Sequence, residues 1–298
     1  MTSPSGDNMR TPSRRATFLW IVAVLMSASG VVHAVIFIAS GTEWDGPLSW
    51  RKPILFGLST GVTAASLAWV WRHLAPTRGD HWLTQILGWS LLLEVAAITL
   101  QTWRGAPSHF NHSTTFDTII EQLMLVWISA ATLIVVWLTV RSWGGLEVDP
   151  EQRLAIRAGL VGLVVSCVIG YAISAWGWRL HAMGRSPEIY GTAGVLKFPH
   201  GICLHAIQTL PIAGWIWRSV KAADLVRRMG WLVAAHGFAL AYALWQTLSG
   251  RTRLDLDAMG GALLMAAGLC LAWSCAPSVW LSRRRPALPG VAAPQESA

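Results

Sequence analysis

Apolar runs of about twenty residues recur along this chain from about residue 17 to about residue 281, with only short polar gaps between them. Coiled at 1.5 Å per residue, such a run matches the roughly 30 Å hydrocarbon core of a bilayer. In that solvent each span must satisfy its own backbone hydrogen bonds, which a helix does. The pattern predicts helices over 17–40, 53–72, 82–103, 115–141, 155–177, 199–219, 230–250 and 259–281. Thr114 with Asp117 three residues on reads as the N-cap of the fourth, and Asp257 as the cap of the eighth. The expected fold is all-α, a polytopic integral membrane protein of about eight transmembrane helices.

Composition narrows the class further. With 53% hydrophobic and 13% charged residues the chain is too apolar for an ordinary soluble domain. The net charge of +8 does not point to nucleic acid, because the basic residues fall between spans rather than along one solvated face. About fifteen Lys and Arg lie in the termini and the loops near 72–82, 141–157 and 218–229, against about eight in the alternate loops. The excess predicts a plasma-membrane protein with both termini cytoplasmic. Cys167, Cys203, Cys270 and Cys275 all sit in apolar runs with no Cys-x-x-Cys pair, so they read as small packing residues. Most of the nineteen tryptophans read as interface anchors, among them Trp44, Trp50, Trp71, Trp103 and Trp217 near span ends.

Two stretches repeat. Pro53 through Trp69-Val70-Trp71-Arg72 aligns without a gap on Pro199 through Trp215-Ile216-Trp217-Arg218, and Gln101-Thr102 answers Gln246-Thr247 at nearly the same offset. The repeat predicts a duplicated four-helix unit, 4+4. The expected organisation is a cytoplasmic segment 1–16, a first repeat 17–141, a linker 142–154, a second repeat 155–281 and a disordered cytoplasmic tail 282–298.

Polar side chains inside hydrocarbon are costly, so where they gather is informative. His33, Gln101, Arg104, Glu121, His200, His205, Gln208 and Gln246 fall toward one side of the spans, and the loops there add Arg51, Lys52, His109 and Asn111. Imidazole is a common ligand for haem iron and for several metals, which makes His33, His109, His200 and His205 candidate ligands of a haem or a divalent metal. Arg51, Lys52, Gln101, Arg104, Asn111, Gln208 and Gln246 are the candidates for holding a cofactor or an anionic ligand. Arg51 and Lys52 are also expected to pair with a carboxylate such as Glu121. His200 and His205 stand five apart, roughly 140° around a helix, so one straight helix cannot clamp a metal between them. Pro211 predicts a kink near Ile207 and Gln208. Glu94 and His236 lie deeper, and the repeat offset suggests that they face one seam and relay protons. With Glu121 they are the candidate catalytic groups.

No Walker loop, dinucleotide fingerprint, metalloprotease histidine pair or nucleophile elbow is present. In layout, a duplicated four-helix membrane unit with histidines near the outer surface resembles haem A synthase and the b-type cytochromes. That likeness implies a haem, but none of their residue motifs is matched. Three readings follow: a haem- or metal-dependent membrane oxidoreductase, a proton-coupled transporter or small-ligand binding protein, and a non-catalytic accessory subunit. The bilayer is the one partner common to all three.

Overall fold

The computed structural model describes residues 14–46, 48–185 and 194–276. The segment expected over 282–298 lies outside them, as does nearly all of 1–16. Among the described residues the chain forms nine helices and no strand: α1 Arg14–Ser40, α2 Arg51–Arg72, α3 Asp80–Trp103, α4 Thr115–Arg141, α5 Pro150–Ala182, α6 Lys197–Leu204, α7 Ala206–Ser219, α8 Leu225–Leu248 and α9 Ala258–Cys275. Six of them (α1 to α5 and α9) are long and apolar enough to cross a bilayer. Their outward faces fit that solvent. Ile21, Val24, Leu133, Val140, Met265 and Leu269 are all well exposed, which water would penalise and acyl chains do not.

The most extensive packing is α1 on α2. Without a hydrophobic force between spans, helices associate in lipid by backbone approach over small residues. A Cβ built on Gly57 would lie 2.8 Å from the Cα and the nitrogen of Gly30, and one on Gly30 would lie 2.9 Å from the Leu58 nitrogen. The same device recurs where α5 meets the α6–α7 pair. A Cβ on Gly159 would stand 2.7 Å from the Ile207 Cα, and one on Gly162 would stand 3.0 Å from the Cys203 carbonyl.

Both expected caps form. Thr114 Oγ1 accepts from the Asp117 amide at 3.1 Å, and Asp257 Oδ1 accepts from the Gly260 amide at 2.7 Å. At the opposite end of the bundle, arginines hold the helix ends together. Arg141 of α4 pairs with Asp80 of α3, and Arg218 of α7 pairs with Asp149 and Glu151 at the start of α5. Buried Arg228 donates to the Ser274 carbonyl at 2.8 Å and to the Ala276 carbonyl at 2.5 Å. These side chains therefore do more than set orientation.

The sixth expected span is two helices. The break falls at His205, slightly ahead of the residues whose bond Pro211 removes. The reason is local: the Gln208 amide and the Thr209 hydroxyl can both reach the turn. Thr209 Oγ1 donates to the His205 carbonyl at 3.0 Å. With its amide nitrogen turned toward the break, Gln208 reaches the Leu204 and His205 carbonyls at 3.2 and 3.1 Å. A break placed here has its freed carbonyls covered, as buried backbone requires.

Candidate functional site

The segment between α3 and α4, residues 104–114, folds back over the end of the bundle, and the helices beneath it supply its anchors. The first anchor is a charge cluster. Asp117 Oδ1 accepts from Gln101 Nε2 at 2.9 Å and from Arg104 Nη1 at 2.7 Å, while Thr114 Oγ1 donates to Asp117 Oδ2 at 2.6 Å. Arg104 also bonds the Gln101 oxygen and lies 4.5 Å above the Phe116 ring. Gln101 and Arg104 are thus brought together as expected, around a carboxylate that sequence reasoning had assigned only to a helix cap.

The second anchor is Glu121. Its two oxygens accept the backbone N–H groups of Phe110 at 2.8 Å and Asn111 at 3.1 Å, and His112 Nε2 stands 3.4 Å from Oε2. Phe110 has a left-handed backbone, φ 58°, which a bulky residue adopts only when its surroundings enforce it. They do here. The Phe110 ring lies on Gly177 of α5, where any side chain would displace it, and meets Trp178 edge-on at 5.6 Å. Asn111 Nδ2 donates to the Pro107 carbonyl at 3.1 Å, closing the turn from inside. Glu121 therefore holds the loop and does not pair with Arg51 or Lys52. Arg51 turns outward to Asp45, and Lys52 Nζ reaches Ser108 Oγ at 3.4 Å.

Beneath the loop lies Glu94, 7% exposed in the wall of α3. Its Oε1 is 4.0 Å from His109 Nε2, and among the described residues its Oε2 has no hydrogen-bond partner. His109 Nδ1 in turn meets Ser108 Oγ at 2.9 Å. Desolvation, followed by the charges of Lys52 and Lys197, holds the His109 imidazole well below its usual range. A partly accessible neutral imidazole between a buried hydroxyl and a buried carboxyl can pass a proton by exchanging which nitrogen carries it. Ser108, His109 and Glu94 therefore stand in a row, with His109 the partly accessible member and Glu94 in the span.

The remaining candidates stand apart. His33 is fully engaged: Nδ1 donates to the Ser29 carbonyl at 2.7 Å, and Trp103 Nε1 donates to Nε2 at 3.0 Å. That tautomer leaves neither ring nitrogen with a free lone pair. His200 Nδ1 bonds Ser166 of α5, at 2.9 Å to the carbonyl and 3.0 Å to the hydroxyl. His205 sits at the helix break, where the Gln208 amide bridges its Nδ1 and Thr63 Oγ1 of α2, both at 3.2 Å. Gln246 Nε2 donates to the Thr252 and Asp255 carbonyls at 2.8 and 2.9 Å, holding the α8–α9 loop. The four candidate ligand histidines thus lie in four separate settings. No group of three or more His, Cys, Asp or Glu among the described residues has the geometry to hold a metal ion.

The expected Glu94–His236 seam does not form. The helix of Glu94 packs on α1, α2 and α4, whereas that of His236 packs on α5, α6, α7 and α9. His236 Nδ1 bonds the Leu232 carbonyl at 2.9 Å and Nε2 bonds Thr209 Oγ1 at 2.8 Å. Linear repeat offsets place residues along an axis, and they do not say which neighbour a face meets. Sequence reasoning also missed the parts played by Asp117, Ser108, His112 and Lys197. Asp117 was legible as a cap and so was spent on that explanation, while the others read as loop polarity.

No family model matches this sequence, and comparison with curated proteins and with solved structures finds no match.

Proposed function

We propose that this chain is an eight-span plasma-membrane protein, with cytoplasmic termini, that binds or carries a small molecule in step with proton uptake from the outer face. One observation carries the reading: Glu94 is buried in a membrane span, its Oε2 has no partner among the described residues, and its Oε1 looks toward His109 at 4.0 Å. An intramembrane carboxyl left partly unsatisfied is costly, and in membrane proteins it marks a proton or substrate path. A packing role would be expected to fill both oxygens.

The finer architecture supports the same reading. Counting α6 with α7 as one interrupted span, and α8 as another, gives eight crossings. Helices interrupted within the bilayer are how many carriers build substrate sites. The 4+4 repeat is favoured by position: Gln101 near the end of α3 and Gln246 near the end of α8 are both buried, and both anchor the segment that leads to the next helix. The arginine-rich end is the cytoplasmic one by the positive-inside rule, which puts the 104–114 loop outside.

The test is uptake of labelled monocarboxylates and neutral analogues into proteoliposomes, with and without an acid-outside gradient. The expectation is that the gradient accelerates uptake by the wild type and not by Glu94→Gln, and that His109→Asn slows the response. Wild-type uptake indifferent to the gradient for every compound carried would remove proton coupling.

A further inference from the structure

A second concavity lies away from the 104–114 loop, between the α6–α7 break, α8 and α9. Its volume is about 770 Å³, within the roughly 300–1,000 Å³ usual for single-ligand sites. Most of its wall is aliphatic, with Leu232 of α8 and Leu271 of α9 among the lining residues. Apolar walls alone would describe any lipid-facing surface. Four other lining residues do not fit that description: Lys197, Arg253, His205 and His236.

The arrangement of these four is graded. Lys197 opens α6 and Arg253, in the α8–α9 loop, stands beside the next residue, Phe198, so both cations sit together at one end of the groove. The Arg253 guanidinium lies 5.1 Å above the Phe198 ring, and Phe198 meets Tyr242 edge-on at 6.0 Å. Tyr242 in turn donates its hydroxyl to the Arg253 carbonyl, which fixes the strand of loop that carries the charge. His205 and His236 lie further along, one held by Gln208 and the other by Thr209. Ionisable side chains on a membrane span ordinarily face protein or a polar cavity, because acyl chains offer them nothing.

We propose that this groove binds a single-chain anionic amphiphile, its carboxylate at Lys197 and Arg253 and its apolar chain between α8 and α9. Charge complementarity fixes the direction. Two cations at one end of an aliphatic trough match an acid head, and the trough beyond them matches a chain. Arg presents a planar fork of donors to a carboxylate, a geometry no phospholipid-facing leucine surface supplies. The proposal names the ligand class for the carrier reading, and it rests on that reading only for the ligand's movement.

The experiment is equilibrium photolabelling of the full-length protein in nanodiscs of neutral lipid, without any gradient. The probes are a diazirine-bearing palmitic acid and the corresponding diazirine alcohol, with labelled peptides located by mass spectrometry. The acid should label the lining segments of α8 and α9 about tenfold more than the alcohol does, and Lys197→Gln with Arg253→Gln should remove that preference. Ala239→Phe, which fills the trough without touching a charge, should reduce labelling by both probes. Equal labelling by acid and alcohol, or labelling spread evenly over the outward faces of all helices, overturns the proposal. Because no gradient is applied, that outcome leaves the Glu94 path standing. Conversely, acid-selective labelling in a protein indifferent to pH gradients keeps the groove and removes the coupling.

Discussion

Replacing Glu121 by glutamine isolates what holds the 104–114 loop. The carboxylate accepts two backbone N–H groups, at 2.8 and 3.1 Å, from a buried position. Bonds to a charged acceptor are worth about 1.5–3 kcal/mol each. Glutamine keeps one acceptor oxygen and turns an N–H group toward the second donor, so at least one such bond is lost outright. The left-handed backbone of Phe110 then has less to hold it. A loss of about 1.5–3 kcal/mol in local opening corresponds to amide exchange roughly ten- to a hundredfold faster. Hydrogen–deuterium exchange by mass spectrometry on peptides covering 104–114 reads this directly. Peptides from α9, which packs on α8 and away from the loop, serve as the internal reference. Unchanged exchange over Phe110 and Asn111 in a folded Glu121→Gln protein would falsify the assignment of Glu121 as the loop's anchor and return it to the candidate catalytic groups.

Gly57→Leu should destabilise the protein by about 1–3 kcal/mol through forced separation of α1 and α2, because its Cβ alone would lie 2.8 Å from Gly30. Gly230→Ala, whose Cβ meets nothing within 4 Å, should be neutral or slightly stabilising. Thermal unfolding in detergent compares the two, and equal shifts would show that the close approach does not matter. His109, held below its usual range in the folded chain, binds fewer protons there than in the unfolded chain. Stability should therefore fall as pH drops below the unfolded value of about 6.5. The ring is still 31% accessible, so the loss between pH 7 and 5 should be about 1 kcal/mol rather than the full ~2. His109→Asn should flatten that part of the curve, and an unchanged acid limb in the variant would refute the assignment.

Six apolar spans were readable because the bilayer imposes one rule on every residue of a helix, and length with hydropathy expresses that rule locally. The caps at Thr114 and Asp257 were readable for the same reason, since an N-cap involves only three or four consecutive residues. What the sequence did not carry was rotation about each helix axis. The repeat offset brings the counterpart of Glu94 within about one turn of His236, yet Glu94 faces the loop and His236 faces Thr209, a difference set by which neighbours each helix meets. Nor did histidine content predict ligation. His33 was a candidate ligand, but a serine carbonyl one turn back and a tryptophan seventy residues away take both its nitrogens. Glu121 and Lys52 were expected to pair, and the partner of each was decided by backbone groups and a hydroxyl that no side-chain pattern reveals.

Lys197 joins the two regions physically. It lines the mouth of the groove, and its charge, together with that of Lys52, weighs against a proton on His109. Glu94 faces His109 from α3 and Ser108 meets it from the loop, but neither belongs to the groove. An anion seated at Lys197 would offset one of the two repelling charges and leave Lys52 in place. On the carrier reading, ligand binding then makes His109 a better proton acceptor, and by reciprocity a proton on His109 makes the groove a better anion site. Such coupling needs no large rearrangement, only two sites close enough to feel one ammonium group, and the fold supplies that by packing α6, which Lys197 opens, on α8.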